Sequence, residues 1–106
     1  MIINKWLQEH NFDYRAQYSF DNCILSTGRR PFFDFVLFKN NIPYLVIEYN
    51  GRQHYEVTGG WNTKENFENT QRRDLEKIKW CQDNNYPILI IKYNEDIEEV
   101  LKEKLL

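Results

Sequence analysis

The chain holds only two cysteines, Cys23 and Cys81, far apart and without metal-type spacing. That excludes a disulfide framework and a cysteine-rich zinc site, and ordinary reduced thiols are expected. No stretch approaches the ~20 apolar residues that a membrane span requires. Trp6, Gln8 and Glu9 interrupt any apolar run at the start, so a signal peptide is not expected and a soluble cytoplasmic protein is. Repeats, low-complexity tracts and linker composition are also missing, which predicts one domain over residues 1–106. Nor is there an excess of positive charge, since 16 acidic and 14 basic residues give a net charge of −2. A protein that grips nucleic acid through its backbone alone is usually basic, so the balance weighs against simple DNA binding. It weighs less against a site whose own carboxylates inflate the acidic count.

What is present is apolar and aromatic, at 42% and 16% of residues, enough to build a core without cross-links. Ile2, Ile3, Trp6 and Leu7 recur at helical spacing, with Asn11 as a stop. Tyr14 to Phe20 reads as a strand, and Ser26 to Arg30 as a polar loop. Phe32 to Phe38 and Pro43 to Tyr49 are apolar on both faces, as expected of strands inside a sheet covered on both sides. Asn62 and Glu65 form a capping box for a long helix reaching about Asn84, stopped by Asn85 and Pro87. Ile88 to Ile91 is a short buried strand, and Ile97, Val100, Leu101 and Leu105 mark a last helix capped near Asn94. The expected order is α-β-β-β-α-β-α, an α/β fold with a mixed central sheet flanked by helices.

Against this apolar background a few polar residues stand out. Asp34 lies within an apolar strand, where a carboxylate must be paired, hydrogen-bonded, neutralised or bound to a metal. An ion pair with Arg30 or Lys92 would serve as well as a metal. Glu48 ends the next strand, and alone it would read as a solvated edge charge. A hairpin about Asn41 places Asp34 opposite Glu48 if the loop has an odd length, such as Asn40-Asn41-Ile42. A two-residue Asn40-Asn41 turn would send the two carboxylates to opposite faces. Two like charges so close call for a cation between them. His54, six residues past Glu48, could swing toward the same point, and its ordinary pKa of ~6.5 suits a general base. Asp74 falls on an inward helix stripe with Phe67, Gln71, Ile78 and Cys81, either salt-bridged or completing the acidic cluster. Arg73 and Lys77 share the adjacent face, where they could meet a phosphate or form a solvated basic stripe.

The segments Arg30-Pro31-Phe32-Phe33-Asp34-Phe35, Ile47-Glu48-Tyr49-Asn50-Gly51-Arg52-Gln53-His54-Tyr55, Gln71-Arg72-Arg73-Asp74 and Asn84 to Ile90 together resemble the PD-(D/E)xK nuclease superfamily. The likeness is to its branch of very-short-patch-repair-like and phage homing endonucleases, and it extends over nearly the whole chain. It implies a restriction-endonuclease-like core and hydrolysis of DNA phosphodiesters with Mg²⁺ or Mn²⁺, in a bacterial or phage-infected cell. By the same resemblance Asp34 is the central metal ligand and Glu48 supports the metal or its water. His54 is then base or proton relay, Gln53 an orienting group, and Asp74 a ligand or a support behind the ligands. Arg29, Arg30, Arg52, Arg73 and Lys77 become candidate DNA contacts, and a homodimer would allow both strands to be cut. Two departures stand out: Asn50 occupies the place of the superfamily's lysine, and the first helix begins Met1-Ile2-Ile3-Asn4 where relatives carry a glutamate, with Glu9 at the wrong end. These leave a catalytically weak or silent DNA- or protein-binding module as the alternative, and a plain structural α/β domain with ion-paired acids as a third.

Overall fold

A computed structural model describes residues 2–51 and 64–106. The spacing of Ile3, Trp6 and Leu7 yields α1 (Ile2–Glu9) and buries those three side chains. Asn11 ends that segment in the left-handed region at φ 60°, which Asn tolerates better than most residues. Then follow β1 (Tyr14–Tyr18), β2 (Phe33–Lys39), β3 (Ile42–Asn50), α2 (Lys64–Asp83), β4 (Ile88–Lys92) and α3 (Ile97–Leu105). The strands lie side by side in the order β1-β2-β3-β4. The first two pairings are antiparallel and β3 with β4 is parallel, so α2 sits in the crossover between parallel neighbours. The α/β class, the mixed sheet and the element order are those expected.

The sheet is covered on both faces, which is why β2 and β3 read as apolar throughout. One face carries Phe35, Leu37, Ile47 and Ile91 against Ile3, Trp6 and Leu7 of α1 and Leu101 of α3. The other carries Val36 and Val46, packed with Phe20, Cys23 and Phe33 and with Trp80 and Cys81 of α2. Both cysteines are free and buried there. Burial pushes the Cys81 thiol up to about 12 and raises Cys23 as well, which keeps both protonated and unreactive at neutral pH. Among the described residues no helix is long and apolar enough to cross a membrane.

Some boundaries differ from expectation. β1 stops at Tyr18 because Phe20 turns into the α2-side cluster. β2 begins at Phe33, which leaves Phe32 outside the sheet and 60% exposed. The cap of α3 is Asp96, not Asn94: its side chain accepts the Glu99 amide at 3.1 Å. The capping position Asn62 lies outside the described residues. Gln71, placed on the inward stripe of α2 by spacing, is exposed; Phe67, Asp74, Ile78 and Cys81 keep their inward places, joined by Thr70 and Lys77.

The β2–β3 hairpin decides where the acids go, and its loop is not odd. Lys39 pairs with Ile42, and Asn40 and Asn41 both hold positive φ, 54° and 63°, the conformation of a two-residue type I′ turn. Alone, that turn would separate Asp34 from Glu48. The register then shifts: Phe38 pairs with Pro43 but Leu37 pairs with Leu45, so Tyr44 is an extra, bulged residue. Beyond it Val36 faces Val46 and Phe35 faces Ile47, and one step further Asp34 faces Glu48. The expected juxtaposition stands, produced by a bulge and not by loop length. Asn41→Val is expected to lose about 1–2 kcal/mol in urea denaturation, because a β-branched residue resists positive φ, whereas Asn41→Gly should hold or gain stability.

Candidate functional site

Two side-chain bonds join Asp34 to the Glu48-Tyr49 step across the two central strands. The Asp34 amide donates to Glu48 Oε2 at 3.3 Å, and the Tyr49 amide donates to Asp34 Oδ2 at 2.8 Å. From β1, Gln17 Nε2 reaches Asp34 Oδ1 at 3.4 Å. Gln17 holds φ 52° inside a strand, a conformation that costs a non-glycine residue on the order of 1 kcal/mol. Its spacing in the sequence carries no signal of this contact.

Lys77 is the residue that sequence reasoning placed wrongly. It was expected with Arg73 on the face adjacent to the inward stripe, meeting a phosphate or solvent; instead it reaches inward from α2 and forms an ion pair with Glu48 Oε1. Its ammonium also donates to the Phe32 carbonyl at 2.8 Å and sits 4.7 Å from the centre of the Phe33 ring. The signal was present: Lys77 follows Asp74 by three residues and precedes Cys81 by four, which puts all three on one helix face. Asp34 finds its partners among amides; Arg30, one of its expected ion-pair partners, pairs with Asp21 at 3.0 Å on the surface.

Burial drives the electrostatics. Glu48 is 8% exposed, and its carboxyl is pushed from the ordinary 4.5 up to about 7 by desolvation, opposed by Lys77 and reinforced by the charge of Asp34. The folded value lies above the unfolded one. The associated stability is therefore complete below about pH 4.5 and lost as pH rises through about 7, on the order of 3 kcal/mol in all. Unfolding free energy measured in chelator should decline between pH 5 and pH 8, and Glu48→Gln should flatten that decline.

These groups line an open cleft of about 940 Å³ between the 25–32 segment and α2. Asp74 and the buried Asn50 line it too, as do Arg29, Arg30, Arg72 and Arg73. The segment is tied to α2 by the Ser26 amide, which donates to Glu76 Oε1 at 2.9 Å; hydrogen bonding from the Ser26 side chain and then its amide holds that carboxyl below its usual range. Gly28, at φ 85°, permits the turn that returns the chain from Leu25 to Arg29. The structure thus brings together Asp34, Glu48, Asp74, Arg29, Arg30, Arg73 and Lys77. Arg52, Gln53 and His54 lie outside the described residues. Glu9 is exposed at the end of α1, paired with Lys5 at 4.0 Å, and is not among the residues lining the cleft.

Among the described residues no group of three or more His, Cys, Asp or Glu side chains is arranged to hold a metal ion. The available donors are the oxygens of two adjacent carboxylates. That set fits a hard divalent cation such as Mg²⁺, which takes one or two protein carboxylates and completes its shell with water and phosphate. No family model matches the chain, and no solved structure matches it. It is similar to uncharacterized protein 307L of Invertebrate iridescent virus 6, with 41% identity over 63 residues. That stretch is 58% of this chain and 32% of the viral protein, so the chain spans about a third of its relative's length.

Proposed function

We propose that the chain is a metal-dependent DNA endonuclease with a restriction-endonuclease-like core of the PD-(D/E)xK kind, its site centred on Asp34 and Glu48. The observation that carries this reading is the pair itself: two carboxylates facing each other at the ends of adjacent central strands, beside a half-buried lysine, in a cleft walled by arginines. Asp34 and Glu48 would hold Mg²⁺ or Mn²⁺, which when bound supplies polarisation of the phosphate and a more acidic water. Lys77 offers the positive charge that Asn50 does not, and can stabilise charge building on a phosphate next to Glu48. Arg29 and Arg73 can bind phosphates on either side of the reacting one. Asp74 lines the cleft and can support the ligands, and His54 remains the proposed base or proton relay with Gln53 as an orienting group.

The Glu48–Lys77 ion pair also favours a second reading, a nuclease-derived DNA-binding module without activity, because the ammonium already meets the charge that a metal would meet. Nicking of supercoiled plasmid in Mg²⁺ or Mn²⁺, abolished by chelator, separates the two. Intact plasmid that is nonetheless shifted on a gel would leave only the binding module.

A further inference from the structure

A solitary exposed aromatic is ordinary on a protein surface, but Phe32 has an unusual setting. The residue is 60% exposed while its own carbonyl is held by Lys77 at 2.8 Å. The backbone is thus fixed to the site while the side chain stands free beside it. Arg29, Arg30, Arg72 and Arg73 line the same cleft. Asp34 is two residues along, a reach of at most roughly 7 Å, comparable with one nucleotide. An exposed apolar ring on an anchored backbone, lining one cleft with guanidinium groups, has the chemistry to stack a base while cations take its phosphates. Bases inside a duplex are stacked on one another and offer no free face unless one leaves the helix. Glu48, only 8% exposed, lies at the floor of the cleft, where a single strand can descend more easily than a rigid duplex.

Resting on the reading of the cleft as a DNA site, we propose that Phe32 is a base-stacking platform and that the preferred substrate is single-stranded DNA. The ring stacks on an unpaired base and so sets which phosphate reaches Asp34 and Glu48. Arg29 and Arg73 hold the neighbouring phosphates, which makes binding salt-dependent.

The test measures binding in EDTA, so that it does not depend on cleavage. Fluorescence anisotropy with the full chain compares a single-stranded oligonucleotide with its own duplex, and a 2-aminopurine in the single strand reports stacking. The expected result is tighter binding of the single strand, with quenching of the 2-aminopurine. Phe32→Ala should weaken single-strand binding by about tenfold, lose the quenching and leave duplex binding unchanged; Phe32→Tyr should restore both. Equal or tighter binding of duplex, no binding of either, or a Phe32→Ala variant indistinguishable from wild type would overturn the proposal. The ring lies outside the core, so circular dichroism should show the variant folded. Stacking without metal-dependent cleavage of the same single strand sinks the endonuclease reading alone, and cleavage of that strand at unchanged rate and position in Phe32→Ala sinks this one alone.

Discussion

Asp34→Asn is expected to lower metal-dependent plasmid cleavage by about a thousandfold or more while leaving the protein at least as stable. The loss follows from charge: removing one of the two carboxylates proposed to hold the cation forfeits several kcal/mol of transition-state stabilisation, and ~4 kcal/mol is about 10³ in rate. The retained stability follows from the hydrogen bonds. An asparagine oxygen can still accept the Tyr49 amide, and its NH₂ can face the oxygen of the Gln17 side chain after an amide flip. The like charge that helps raise the Glu48 carboxyl is gone, so part of the cost of two adjacent acids is relieved. Cleavage rates and thermal denaturation on the same preparation give the check. Retained cleavage would remove Asp34 from the mechanism, and an unfolded variant would make it structural.

Lys77→Met should act on stability first. It leaves Glu48 buried without its cation, and breaking a buried pair from one side costs about 3–5 kcal/mol. Glu48 can escape part of that by taking up a proton, since its carboxyl already titrates at about 7 and would be raised further without Lys77. The loss should therefore be smaller at pH 6 than at pH 8. The double variant Glu48→Gln/Lys77→Met should recover much of the stability at both values, because no buried charge remains. Urea denaturation of the three proteins at the two pH values measures this directly. A Lys77→Met variant as stable as wild type at pH 8 would mean that the ion pair contributes little. Cleavage should also fall by roughly 10², the scale of losing one charge-stabilising donor.

Much of the fold was legible because periodicity reports burial. Ile3, Trp6 and Leu7 announced α1, and the unbroken apolar runs of β2 and β3 announced a sheet packed on both faces. The acids were legible for the same reason: a carboxylate between Phe33 and Phe35 has few explanations. What spacing could not supply was direction at the ends of long side chains. Lys77 has the helical position of a core residue and the composition of a surface one, and its four-carbon stem lets it satisfy both. Gln17 was hidden because its role depends on a backbone conformation that no alternation pattern signals. Phe32 was counted into β2 by its apolarity, although the strand begins only at Phe33.

The bulge at Tyr44 has a consequence for length variation in this hairpin. Side chains alternate between faces, so removing Tyr44, or adding one residue to the Asn40-Asn41 turn, is a change of parity as well as length. Either would bring Asp34 and Glu48 out of step by one position and put one of them among Phe35, Leu37 and Ile47 on the α1 side. Two such changes together would cancel. Natural variants should therefore lengthen or shorten this hairpin by even steps, or trade a turn residue for the bulge. A single-residue deletion at Tyr44 should be far more damaging than any substitution of its exposed side chain.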